Sequence, residues 1–264
     1  MKDGPSKLLE IIQKLIVKTI ATHRAGFNLS LIGGFRFRLL DNSPRMSIDI
    51  DYHYTGDLNK KQKEIIALFK RKLLPEIKTR LGYDGTVTER TGPDADSPST
   101  RIIDLAFFKK GVTYSRIELS VDITCIECLD KPIARTFEGT VFLTASDRDM
   151  IESKIIALFD RTYMQERDII DIFLFKEKLG PDSGERIFGK LANRSLNISV
   201  VAERFDKLLK DRYYHVQNIN AVINGQFDIQ AAETISTGGG AEMVFDYVME
   251  NLREILNIPG RQES

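Results

Sequence analysis

The sequence predicts an α+β fold followed by a helical part, and three observations carry that prediction. Short apolar runs alternating with polar residues fill much of the stretch up to Thr144. From Ser146 the apolar period changes to three and four, with Met150, Ile151, Ile155 and Leu158 on one helical stripe. Clusters of Gly, Pro, Ser and Asp punctuate both regions.

The elements follow in order. Leu8, Ile11, Ile12, Leu15, Ile16 and Ile20 give a first amphipathic helix. "FNLSLIGG" reads as a short strand ending in a glycine turn, "FRFRLL" as a short helix, and "MSIDIDYHY" as a strand. "NKKQKEIIALFKRKLLPEIKTR", Asn59 to Arg80, reads as a basic amphipathic helix with eight basic residues against two acidic ones. Asp84 to Arg101, rich in turn formers, reads as a surface excursion. "IIDLAFF" and "VTYSRIELSVDIT" are two strands joined by a turn at Lys109 to Gly111, and "TFEGTVFLTAS" is another extended piece. The later sequence is helical, with "GPDSG" and "STGGG" as linkers. The expected division is a core over 1–144 and a helical domain over 145–264.

Composition narrows the function. Lys plus Arg equals Asp plus Glu at 38 each, so no global positive field draws nucleic acid in, and any such contact is local. No apolar run reaches the roughly 18 residues of a membrane span. Lys2 and Asp3 precede a periodic helix and not a leader-like apolar segment, so a cytoplasmic protein with no membrane partner is the expectation. The lone "CIEC" pair, Cys125 and Cys128, lacks the further ligands of a structural zinc site and the helix N-terminus of a redox motif. Gly238 to Gly240 lacks the Lys-Ser/Thr ending of a phosphate loop and reads as a helix linker.

The chemistry concentrates in "GGFRFRLLDNSPRMSIDIDYHY". Residues two apart on a strand share a face, so Asp49 and Asp51 project together with Ser47, while Ile48 and Ile50 are expected to face the core. Two carboxylates so placed raise each other's pKa unless a cation lies between them. A third acid would complete a hard-cation site, and "RIELSVDIT" offers Glu118 and Asp122 on one face with Ser120. Gly33 and Gly34 would let backbone amides approach phosphate. In "ESKIIALFDRTYMQERDIIDIF", Lys154 shares a helix face with Leu158 and would present its ammonium at a site edge. Arg161 or Arg167 pairing with Asp168 or Asp171 is the structural alternative.

On these pieces, "LIGGFRFRLL…RMSIDIDY", "SVDIT" and "ESKIIALFDRTYMQERDIIDIF", the chain resembles the AbiEii/AbiGii toxin family of DNA polymerase beta-like nucleotidyltransferases over about Leu29 to Phe173. The resemblance implies a mixed sheet with flanking helices and an enzyme that moves a nucleoside monophosphate from an NTP to an acceptor. RNA, such as a tRNA end, or a protein side chain would accept it. It implies Mg2+ or Mn2+ on Asp49, Asp51 and Asp122, with Glu118 as the alternative third acid, and a nucleotide held by Gly33, Gly34, Arg38, Ser47, Lys154 and Asp168. Lys154 would also assist catalysis. A toxin role brings a cognate antitoxin. Ile32 before the glycines and "FRFR" after them depart from the usual pattern, and Arg36 or Arg38 is expected to supply the missing positive charge. Two rival readings are a small-molecule nucleotidyltransferase and an inactive binding module working through the basic helix.

Overall fold

A computed structural model describes residues 5–90 and 99–258. The chain forms two compact units, one of residues 1–126 and 130–145, the other of 127–129 and 146–264.

The first unit is built on a seven-stranded sheet in the order β3-β4-β5-β2-β1-β7-β6. Its strands are β1 (Ser30–Ile32), β2 (Ile50–His53), β3 (Asp84–Glu89), β4 (Thr100–Phe108), β5 (Arg116–Thr124), β6 (Ile133–Phe137) and β7 (Thr140–Thr144). The sheet is mixed: β2 runs parallel to β5 and β1 parallel to β7, while β1 and β2 are antiparallel. Its helices are α1 (Pro5–Ala21), α2 (Gly33–Leu40), α3 (Leu58–Leu68) and α4 (Leu74–Leu81).

Period two separates the sheet's faces. Ile103, Leu105 and Phe107 of β4, with Leu119, Val121 and Ile123 of β5, are buried in one core with Ile65, Leu68, Phe69, Leu73 and Ile77. The alternate residues Asp104, Glu118, Ser120 and Asp122 point to the other face.

The basic segment is a nearly continuous helix from α3 to α4, joined by π-helical residues Phe69–Leu73. Pro75 explains the widening: it lacks an N–H, and its ring would press on the carbonyl four residues back. The Leu74 amide donates instead to the Phe69 carbonyl, five back, which opens the turn. Asp57 caps the start through Lys60 N–H, and Gly82, in left-handed conformation, ends the segment.

Three expectations need correction. Asp84–Glu89, expected within a surface excursion, is strand β3, paired along its length with β4; residues 91–98 of that excursion lie outside the described residues, as do Lys2 and Asp3. "TFEGTVFLTAS" sits in a hairpin of two strands turning at Glu138 and Gly139, not in one extended piece. Ile48 is 53% exposed, because the strand begins only at Ile50 and the residues before it follow an irregular path.

The second unit contains α5 (Asp147–Asp160), α6 (Glu166–Phe175), α7 (Ser183–Ala192), α8 (Ile198–Lys210), α9 (Arg212–Gln226), α10 (Ile229–Thr237) and α11 (Gly240–Ile255). Ser146 caps α5 by accepting from the Asp149 amide. Phe159, Ile169, Ile187, Phe205, Ile219 and Phe245 are among its fully buried side chains. Lys190, itself buried, reaches Asp149 at 2.6 Å and Glu152 at 2.8 Å and ties α7 to α5. Gly238 to Gly240 do link two helices, and Gly239 and Gly240 take positive φ of 112° and 66° there.

Within the described residues no helix is long and apolar enough to cross a membrane. Cys125 and Cys128 carry free thiols.

Candidate active site

The site of the first unit is built by strand register. Asp51, in the middle of the short strand β2, lies opposite Ile32 of β1 on one side and Asp122 of β5 on the other. Asp49 comes just before the strand, and Ser120 bridges the acids: its Oγ is 2.7 Å from Asp122 Oδ1 and 3.1 Å from Asp49 Oδ1. One hydroxyl proton serves one acceptor at a time, so two carboxylates share a single local donor.

Asp122 pays for this company in its protonation. Burial, then the negative charge of Asp51, pushes its carboxyl up to about 7, with Asp49 adding to the rise and Ser120 and Arg90 opposing it. Glu118, the alternative third acid, lies four residues up the strand opposite Ala106 and pairs with Arg116. The register therefore brings Asp122, and not Glu118, beside Asp51.

The glycines have physical reasons to be glycine. Gly33 opens α2 with φ of +77°, and a Cβ there would lie 1.9 Å from Asp51 Oδ2. At Gly34 a Cβ would lie 2.6 Å from an Arg45 guanidinium nitrogen and 3.0 Å from Ser47 Oγ. The amides that open α2 thus stand against Asp51, Ser47 and Arg45. No side chain caps this helix start, since Ile32 occupies the cap position.

Arg45 is the cation that sequence reasoning missed. Arg36 is fully buried on Thr144 and Asp41, and Arg38 turns to Glu10 at 3.3 Å and to the Ser43 carbonyl at 2.8 Å. Both brace α2, while Arg45 is the guanidinium that stands against Gly34. Arg45 comes from an irregular loop, where no periodicity signals direction. Gln13 of α1 was also unforeseen: its amide nitrogen donates to the Ser47 and Ile48 carbonyls, both at 2.8 Å, and fixes the approach to Asp49.

A groove of about 490 Å³ continues from Asp49 across the open face of β3, β4 and β5. Thr86, Thr88, Asp104 and Ser120 line it, with Arg90 held by Asp104 in a forked contact at 2.5 to 3.1 Å. Arg90 also feels the charges of Asp122 and Asp49, which with Asp104 hold its guanidinium in the charged form.

Lys154 and Asp168 belong to the second unit. Lys154 on α5 reaches Asp168 at 2.6 Å and Asp171 at 3.0 Å on α6, and Arg161 meets Asp168 at 2.5 Å. Burial alone would raise the Asp168 carboxyl, but Lys154 and Arg161 outweigh it and hold it below the usual range. Asp168 is only 1% exposed and meets these cations.

The donor chemistry fits a hard divalent ion, since Asp49, Asp51, Asp122 and Ser120 all offer oxygen. Among the described residues, no three His, Cys, Asp or Glu side chains converge as they stand on a point that could hold a metal ion. Side-chain rotation of these acids about fixed backbone positions would be needed.

The fold defines the class first. A Helicobacter pylori protein, JHP933, matches with a TM-score of 0.53 at 16% identity over 96% of this chain and 95% of its own. A structure described as a candidate nucleotidyltransferase from H. pylori gives the same TM-score and identity over 96% of this chain and 98% of its own. At that identity the likeness speaks for the nucleotidyltransferase-like fold alone. No curated protein matches at a significant level. The profile described as "Nucleotidyl transferase AbiEii toxin, Type IV TA system" matches residues 17–223, most of the chain, and the chain belongs to that family.

Proposed function

We propose that the chain transfers a nucleoside monophosphate from an NTP to an acceptor hydroxyl, with release of pyrophosphate. The observation that supports this most is the pairing of Asp51 with Asp122, bridged to Asp49 through Ser120, directly against the glycine start of α2.

Each residue then has a task. The backbone amides of Gly33 and Gly34, the Ser47 hydroxyl and the Arg45 guanidinium receive the triphosphate. Asp49, Asp51 and Asp122 would hold a divalent ion such as Mg2+, which when bound neutralises phosphate charge and lowers the pKa of the attacking hydroxyl. Asp122, register partner of Asp51, is the carboxylate that takes the acceptor's proton. The acceptor oxygen bonds to the α-phosphorus, the bond from that phosphorus to the bridging oxygen breaks, and the electron pair leaves on pyrophosphate. Within the second unit Lys154 is held by Asp168 and Asp171, and the contact with nucleotide that the family resemblance implies for it is kept as part of this proposal.

RNA, including a tRNA end, is the proposed acceptor, and the toxin family membership supports a cognate antitoxin as partner and action inside the cytoplasm. A small-molecule acceptor is the second reading, favoured by the groove beside Asp49, whose arginines are both paired with acids and so offer little to a polyanion. Incubation with α-labelled and γ-labelled NTP, followed by separation of RNA, protein and small-molecule fractions, tests both. The α-label should appear on RNA and the γ-label in pyrophosphate. Label only on small molecules would install the second reading, and no transfer under any divalent ion would remove both.

A further inference from the structure

The basic helix takes no part in this chemistry, and its surface carries a separate message. Lys63, Lys70, Arg71 and Lys72 are exposed on α3 and the π-helical turn. The two acids of the segment are engaged elsewhere, Glu64 with Lys61 and Glu76 with Arg80. Among the described residues, none of Arg24, Lys63, Lys70, Arg71 and Lys72 forms an ion pair.

The turn preceding β1 lies on the Lys61 side of this helix, where Arg71 and Lys72 also reach, while Lys63 and Lys70 turn away from it. Lys61 reaches out from α3 to the carbonyls of Ala25 at 3.0 Å and Phe27 at 3.3 Å, which pins residues 24–27 to the helix. Arg71 stands 3.2 Å from His23 Nε2. Burial and then the charges of Arg71, Arg24 and Lys72 hold the His23 imidazole below its ordinary pKa, so all three cations face one spot. Phe27, on the pinned turn, is 68% exposed.

In a chain with no net charge, unpaired cations gathered beside an exposed aromatic ring need a polyanion with a stacking surface. Residues 58–81 expose no large apolar side chain, so the helix lacks the apolar anchors of a protein interface and the inserting face of a membrane-surface helix. We infer that Arg24, Phe27, Arg71 and Lys72 form a docking surface for RNA, with phosphates on the cations and an unpaired base stacked on Phe27. The choice of RNA over other nucleic acid rests on the acceptor proposed above; the surface itself does not depend on catalysis.

Anisotropy titrations of the full chain with an RNA hairpin bearing an unpaired 3′ overhang, and with a DNA duplex of equal length, test this across a salt series. Arg24→Glu/Arg71→Glu/Lys72→Glu should weaken RNA binding at least about tenfold and lower the salt slope by about 2. Phe27→Ala should weaken overhang RNA by about tenfold and leave the duplex unaffected. A Gln set at the same three positions with an unchanged melting profile controls for folding and should lose affinity in the same direction. Unchanged RNA affinity in the charge variants, or duplex DNA bound as tightly as the overhang RNA, overturns the inference. Asp49→Ala should bind the RNA as wild type does while transferring no label, so loss of docking and loss of catalysis are read separately.

Discussion

Asp51 of β2 and Asp122 of β5 are register partners across a parallel strand pair, and Ser120 links Asp122 to Asp49 beside them. The divalent ion proposed above would relieve the repulsion between these carboxylates. Adding Mg2+ should raise the melting temperature of the wild-type chain, since a ligand that binds only the folded state stabilises it by mass action. The rise should vanish in Asp51→Asn/Asp122→Asn, measured by differential scanning fluorimetry in chelator-treated buffer.

The raised Asp122 pKa also has a sign. A carboxyl that holds its proton up to about 7 when folded, but releases it in the ordinary acid range when unfolded, binds more protons in the native state between those values. Its contribution to stability is therefore complete in acid and is lost as pH rises from about 4 to about 7. Without divalent ions, Asp122→Asn should exceed wild type in stability at pH 8 by about 2 kcal/mol, and the gain should shrink toward pH 4. Chemical denaturation at the two pH values reads it.

Gly33→Ala meets both a left-handed backbone and the Asp51 carboxylate. It should cost about 1–3 kcal/mol of stability and most of the transfer activity. Gly34→Ala meets only the movable end of Arg45 and the Ser47 hydroxyl. Its expected effect is a raised KM for NTP with a smaller loss of stability, measured by steady-state kinetics beside a melting curve.

Removing Lys154 leaves Asp168 and Asp171 buried with less compensation, although Arg161 still meets Asp168. Lys154→Met should destabilise the chain by about 3–5 kcal/mol. Lys154→Met/Asp168→Asn should recover part of that stability without recovering transfer, which separates the lysine's structural pairing from its proposed contact with nucleotide.

Much of this site was legible because its signal is local. The period of two marks the strands that carry Asp51 and Asp122, while Asp49 precedes β2 and meets Ser120 from the irregular approach. The exposure of Ile48 was not legible, because where β2 begins depends on Gln13, a residue of another element clamping the carbonyls of Ser47 and Ile48. Strand β3 was hidden by its Gly and Thr content, and it exists because each of its residues finds a partner on β4. Arg45 was passed over for Arg36 and Arg38 because sequence proximity to the glycines is not spatial proximity: α2 carries those two arginines onto Asp41, Thr144 and Glu10. The capped and amphipathic helices of the second unit were readable from period alone, whereas the burial of Asp168 required knowing which cations pack over it.

The most direct measurement is transfer of label from α-labelled NTP to acceptor by Asp49→Ala/Asp51→Ala, compared with wild type in Mg2+. The account predicts a fall of about 10²–10⁴-fold or more with an unchanged circular dichroism spectrum. Transfer at the wild-type rate by the correctly folded variant would contradict it.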